Sequence, residues 1–95
     1  MKTFRLHITG KVQGVWYRAS AKDKAISLSL TGKIWNAPDG SVDAIVKGEE
    51  ASINAFITWC KKGPLLSQVE NVVAEEISDT NEGYSGFEIS RGHNS

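Results

Sequence analysis

The 95-residue sequence predicts an α+β fold, and three observations support this prediction. Apolar residues alternate with polar ones, as in strands with one buried face, in residues 3–10, 31–36, 41–47, 68–78 and a short run at 87–90. The spacing of a helix that packs on a core occurs in residues 18–29 and 50–61. The resulting order is β-α-β-β-α-β with a small extra strand. This is the order of a ferredoxin-like sandwich, in which two helices cover one face of an antiparallel sheet.

The first strand and first helix each show one apolar face. The strand directs Phe4, Leu6 and Ile8 to one side, and the other side carries Arg5, His7 and Thr9. His7 is therefore expected to be solvated or paired with a carboxylate. The helix carries a core-facing stripe made of Tyr17, Ala21, Ala25 and Leu28.

Ala37-Pro38-Asp39-Gly40 is a strong turn signal, so the strands on either side of it are expected to form a hairpin. We expect the first strand of this hairpin to lie beside the first strand of the chain. That arrangement would carry Asn36 close to the loop that follows residue 10.

The second helix has charges and a stop signal at its ends. Acidic residues lie at its amino terminus, the positive end of the helix dipole, and lysines lie at its carboxyl terminus, the negative end. Gly63-Pro64 follows as a stop signal. Its apolar stripe consists of Ile53, Phe56, Ile57 and Cys60. Cys60 is the only cysteine, so an intramolecular disulfide is excluded and a small core residue is expected. A turn is predicted over 81–85, before the last short strand.

Length and composition predict a single domain, residues 1–95, with a polar tail at about 92–95. Lys plus Arg and Asp plus Glu number 11 each, but residues 1–33 have a net charge of +6 and residues 70–88 one of −6. Neither a signal peptide nor a run long enough to span a membrane is visible, so a soluble, cytoplasmic protein is expected.

Residues 10–18, Gly-Lys-Val-Gln-Gly-Val-Trp-Tyr-Arg, join the first strand to the first helix, and we call them the anion loop. Gly10 and Gly14 permit sharp turns, and backbone N–H groups at the helix start can bind an anion. Arg18 adds a guanidinium suited to two oxygens of a phosphate or carboxylate. The spacing matches neither a Walker phosphate loop nor a dinucleotide fingerprint. By physics alone, a turn with a solvated arginine remains an open alternative.

The order of these residues resembles the signature of the acylphosphatase family, Gly-x-Val-Gln-Gly-Val-x-(Phe/Tyr)-Arg. Residues 31–42, Thr-Gly-Lys-Ile-Trp-Asn-Ala-Pro-Asp-Gly-Ser-Val, are similar to its second signature, Gly-Trp-Val-Arg-Asn-x-x-Asp-Gly-Thr-Val. Lys33 and Trp35 depart from that pattern, and Trp16 stands where phenylalanine is common. If Lys33 or Trp35 borders the mouth of the site, substrate preference could differ from that of a typical member.

The resemblance implies hydrolysis of acyl phosphates without a metal or other cofactor. It implies phosphate binding by backbone N–H groups of Gln13, Gly14, Val15, Trp16, Tyr17 and Arg18. Catalytic roles fall to Arg18, which grips the phosphoryl group, and to Asn36, which positions the attacking water. A free monomer is implied, with a small-molecule acyl phosphate as partner and inorganic phosphate or similar anions as competitors.

Two other functions are alternatives to this one. A catalytically silent, anion-binding ferredoxin-like module would keep the anion loop but would not require Asn36. Binding of single-stranded RNA would need a basic, aromatic sheet face. The strand over 41–47 has no aromatic residue and contains Asp43, so RNA binding is not expected. The net charge of zero indicates neither a nucleic acid nor a membrane as partner.

Overall fold

The structure, a computed structural model, describes residues 1–79 and 83–90. These residues form β1 (Lys2–Lys11), α1 (Tyr17–Ser27), β2 (Thr31–Asn36), β3 (Val42–Gly48), α2 (Glu50–Lys62), β4 (Gln68–Ile77) and β5 (Phe87–Ile89). The predicted order of elements is confirmed, and every boundary lies within two residues of its predicted position. Part of the turn predicted over 81–85 and the polar tail lie outside the described residues.

The first helix ends two residues earlier than predicted because Ser29 adopts a left-handed backbone, with φ 60°. Its N–H donates to the carbonyl of Ile26, and the N–H of Leu30 donates to that of Ala25 at 2.9 Å. This pair of bonds is a Schellman ending, which usually has glycine at the position that serine occupies here. The sequence therefore lacked the usual stop signal.

The sheet has the strand order β4-β1-β3-β2-β5. Neighbours among the first four strands are antiparallel, whereas β5 pairs parallel to β2, so the sheet is mixed. The expectation that β2 lies beside β1 is wrong, because β3 lies between them. The central position of β3 agrees with its apolar residues, which are fully buried there: Val42, Ala44 and Val46.

Both helices pack on one face of the sheet, where Leu6 and Ile8 are fully buried. The predicted stripes are confirmed: the buried positions are Tyr17, Ala21 and Ala25 on α1 and Ile53, Phe56 and Cys60 on α2, with Leu28 and Ile57 partly buried. Of the tryptophans whose burial the sequence left open, Trp35 is buried and Trp59 packs at the edge of the core.

The opposite sheet face carries a polar cluster. The Nδ1 atom of His7 lies 2.6 Å from Oδ1 of Asp43, which confirms the expected pairing of this histidine with a carboxylate. Arg5 lies 3.9 Å from the other carboxylate oxygen.

One buried hydrogen bond joins the two helices. Position 64 is proline and has no N–H, so the carbonyl of Cys60 cannot receive the usual helical bond from that residue. The hydroxyl of Tyr17 donates to it instead, at 2.8 Å. Burial raises the pKa of Tyr17 far above its ordinary value, so the hydroxyl keeps the proton that it donates. Burial likewise raises the pKa of Cys60 to about 12, as expected of a core thiol rather than a nucleophile.

Candidate active site

The topology brings the anion loop and Asn36 to the same edge of the sheet. Strands β1 and β2 are each antiparallel to β3, so they run in the same direction and their carboxyl ends lie together. Ile8 and Asn36 both pair with Val42, from opposite sides. Two strand spacings, or roughly 10 Å, therefore separate the backbone of Asn36 from that of Ile8, three residues before the end of β1.

The anion loop leaves the sheet at an irregularity between Thr9 and Gly10, where the register with β4 shifts. Gly10 has φ 121°, and a Cβ there would clash with the carbonyl oxygen of Gln68. Farther along, Gly14 and Trp16 have φ values of 73° and 63°, and α1 begins at the next residue. Residues with positive φ form tight turns, a conformation that glycine adopts more readily than any other residue.

The start of α1 is open to an anion. No described side chain caps it, and its first turn contains no acidic residue. The first N–H groups of a helix have no partner within the helix, and they carry its partial positive charge. Arg18 lies in this first turn and is half-buried. A negatively charged group placed here would meet both backbone donors and a guanidinium.

The side chains of the predicted phosphate-binding residues point in different directions. Val15 and Tyr17 are buried in the core, whereas Trp16 is exposed. The side-chain amide of Gln13 donates to the carbonyls of Ala37 at 2.9 Å and Ser41 at 2.8 Å. Gln13 thus joins the anion loop to the β2–β3 turn, and only its backbone N–H is left for an anion.

Asn36 ends β2, directly before that turn. Its Oδ1 atom is buried and accepts no hydrogen bond from any residue that the structure describes. Leaving a buried acceptor unpaired costs about 1–3 kcal/mol, so such atoms call for an explanation. The Oδ1 atom of Asn36 is therefore free to accept a hydrogen bond from a bound molecule.

A pocket of about 400 Å³ opens at the anion loop, and it is lined by Val12, Gly14, Trp16, Tyr17, Arg18, Ala19 and Ile89. Four of these residues were predicted as site residues, whereas neither Gln13 nor Asn36 lines it. Ile89 was missed. It reaches the pocket through the parallel pairing of β5 with β2, in which it faces Ile34, and an isolated three-residue strand pattern gives no sign of that pairing.

Other features of the described residues bear on the chemistry. No group of three or more His, Cys, Asp or Glu side chains within 1–79 and 83–90 is arranged to hold a metal ion. In the β2–β3 turn, hydrogen bonds from the Ser41 hydroxyl and N–H hold the pKa of Asp39 below its ordinary value. No helix in the described part of the chain is long and apolar enough to cross a bilayer.

Comparisons with known proteins show the family and the fold of the chain. A sequence model of the acylphosphatase family matches residues 4–89. The chain is 47% identical over 88 residues to an acylphosphatase of Thiobacillus denitrificans, covering 93% of this chain and 96% of that protein. An acylphosphatase structure from Coxiella burnetii has a TM-score of 0.88 at 38% identity and covers 94% of this chain and 92% of its own.

A crystal structure of acylphosphatase from Bacillus subtilis has a TM-score of 0.89 at 31% identity and covers 95% of this chain and 99% of its own. The sequence match and the shared fold both extend over nearly the whole chain. On these grounds the chain belongs to the acylphosphatase family.

Proposed function

We propose that the protein is a hydrolase that converts acyl phosphates to a carboxylate and inorganic phosphate. Membership of the acylphosphatase family supports this reaction. The observation that carries the assignment of the site is the junction of the anion loop with the uncapped start of α1, where Arg18 lies in the first turn. An acyl phosphate is a mixed anhydride with a good leaving group, so positioning and charge stabilisation suffice for its hydrolysis.

In the proposed site, backbone N–H groups of residues 13–18 hold the phosphoryl oxygens and Arg18 binds two of them. These donors are fixed by the fold, because Gly14 and Trp16 hold the loop in its left-handed curve. Preorganised donors stabilise developing charge without having to rearrange during the reaction.

Asn36 is the proposed water-positioning residue. An amide both donates and accepts hydrogen bonds, and the Oδ1 atom of Asn36 has no described protein partner. The oxygen of the positioned water attacks phosphorus, the bond from phosphorus to the bridging oxygen breaks, and the carboxylate leaves. A phosphoryl oxygen takes the proton of the water, so the reaction needs no separate base.

The proposed enzyme acts as a monomer of one domain, residues 1–95, in the cytoplasm. Its partner is a small-molecule acyl phosphate, and inorganic phosphate or a similar anion competes for the anion loop. The formal net charge of zero supports a role that involves neither nucleic acid nor a membrane surface.

The decisive experiment is hydrolysis of benzoyl phosphate and acetyl phosphate in the presence of EDTA by wild type, Arg18→Gln and Asn36→Ala. Losing one preorganised donor typically costs about 10²-fold in rate, so each variant should lose at least that much. Arg5→Gln and Asn54→Ala are matched controls, since Arg5 lies on the opposite sheet face and Asn54 is exposed on α2. Both controls should keep wild-type rates.

Inorganic phosphate should raise KM without lowering kcat, as a ligand of the same loop must. A folded wild type that hydrolyses neither substrate, but still binds phosphate, would instead be the silent anion-binding module. Equal rate losses in the site variants and their controls would remove Arg18 and Asn36 from the mechanism.

A further inference from the structure

We propose that Trp16 and Ile89 form a binding site for the acyl group, which makes the enzyme selective for acyl phosphates with an aromatic or large apolar acyl group. This inference rests on the proposed function, because the phosphoryl group must occupy the anion loop for the acyl group to reach these two side chains.

Both side chains are apolar, exposed and directed at one pocket. The exposed fraction of Trp16 is 77% and that of Ile89 is 41%, and both line the pocket that Arg18 also lines. Single exposed apolar residues are ordinary on protein surfaces. Here an aromatic and an aliphatic residue from separate elements line the same pocket as Arg18, which is proposed to bind the phosphoryl group.

The backbone at Trp16 supports a functional reason for this residue. Its φ of 63° lies in the left-handed region, where a bulky side chain is disfavoured. Packing in the core does not offset this conformational cost, because most of the Trp16 side chain is exposed to solvent. Another left-handed position of the loop, residue 14, is occupied by glycine, which adopts this conformation without a steric penalty. Costly conformations of this kind cluster at ligand-binding positions.

The chemistry of the substrate places its acyl group at these side chains. In an acyl phosphate a single bridging oxygen separates phosphorus from the carbonyl carbon, so the acyl group begins next to the bound phosphoryl group. Trp16 is two residues from Arg18 in the chain, and Ile89 lies on the wall of the same pocket. The pocket volume of about 400 Å³ is within the range of pockets for small organic ligands, roughly 300–1,000 Å³.

The test compares kcat/KM for benzoyl phosphate with that for acetyl phosphate, and the ratio of the two is the readout. One methylene more or less in an apolar pocket changes selectivity by roughly 10–200-fold. Trp16→Gly suits the left-handed backbone and should lower the ratio about 10-fold. Ile89→Ala should lower it by a smaller factor, and Trp16→Phe should retain most of it.

Leu65→Ala is the matched control, because Leu65 is 97% exposed and does not line the pocket. It should leave the ratio and both rates at wild-type values. A ratio that is unchanged in Trp16→Gly and Ile89→Ala, while acetyl phosphate is still hydrolysed, would overturn the acyl site and leave the proposed function standing. Wild type that hydrolyses neither substrate would overturn the proposed function itself.

Discussion

The side-chain amide of Gln13 donates a hydrogen bond to the carbonyl oxygen of Ala37 at 2.9 Å. Ala37 directly follows Asn36, so this bond joins the anion loop to the residue that is proposed to position water. A second bond from the same amide, to the Ser41 carbonyl at 2.8 Å, holds the other side of the β2–β3 turn. Gln13 therefore fixes the distance between the two parts of the site.

Gln13→Leu should lower the free energy of unfolding by about 1–3 kcal/mol, since each lost hydrogen bond contributes about 0.5–1.5 kcal/mol. It should also lower kcat by about 10-fold or more, because a small displacement of a positioning group is costly in rate. KM should change less, as the backbone donors remain. Urea unfolding and steady-state kinetics measure these effects.

Gln68→Leu is the control for this prediction, because Gln68 is exposed on β4. It should match wild type in kcat and nearly match it in stability. A Gln13→Leu variant that loses stability but keeps its kcat would show that the two bonds serve the fold alone.

Tyr17→Phe should lower the free energy of unfolding by about 1–3 kcal/mol, because it leaves the buried carbonyl of Cys60 without a donor. Thr58→Ala removes a hydroxyl that bonds an exposed helical carbonyl, and it should change stability by no more than about 0.5 kcal/mol. Thermal and urea unfolding compare the two variants. Equal changes in stability would mean that another group donates a hydrogen bond to the Cys60 carbonyl when the Tyr17 hydroxyl is absent.

Gly10→Ala and Gly14→Ala separate two roles of glycine in the anion loop. A Cβ at Gly10 would clash with the backbone of β4, so Gly10→Ala should lower the free energy of unfolding by about 3 kcal/mol or more. No atom lies within 4 Å of a Cβ at Gly14, so only the left-handed backbone penalises alanine there, by about 1 kcal/mol. Urea midpoints with equal slopes give the comparison, and the reverse order of stability would contradict the described loop.

Ser41→Ala should raise the pKa of Asp39 toward its ordinary value of 3.8, because the serine hydroxyl is the largest cause of its lowering. A carboxylate with a lowered pKa in the folded state stabilises that state above its ordinary pKa. This contribution is lost as pH falls through the lowered value. The stability difference between wild type and Ser41→Ala should thus be present at neutral pH and shrink in acid.

An NMR titration of the Asp39 carboxyl measures this shift. The N–H of residue 41 still donates in the variant, so the pKa should rise only part of the way. Ser67→Ala removes a hydroxyl that bonds a backbone carbonyl, and it should leave the Asp39 titration unchanged.

Local signals in the sequence accounted for most of the fold, because alternation, helical spacing and turn residues each act over a few neighbouring positions. Both ends of β2 were predicted correctly, since Pro38 and Gly40 mark the turn after it. The early stop of α1 was missed because Ser29 adopts a left-handed backbone without being glycine. The neighbour of β1 was wrong because strand order depends on contacts between distant segments, which alternation does not encode.

In the candidate site, too, the sequence predicted the local features but not the contacts between distant segments. Residues 10–18 are contiguous, and their glycines and arginine could be interpreted as one loop. The bonds of Gln13 to the turn could not be predicted, because a glutamine side chain gives no sign of its partner. Ile89 was missed for a similar reason, as only the parallel pairing of β5 with β2 brings it to the pocket.

The position of β3 between β1 and β2 ties the site to cooperative folding. The anion loop and Asn36 reach the same edge of the sheet only after both pairings of β3 have formed, and the pairing of β3 with the distant β1 forms slowly. The complete proposed site therefore exists only in the native state. An anion that binds it would stabilise the native state by mass action, and it would act mainly by slowing unfolding. Substrate and product would then help to keep the protein folded.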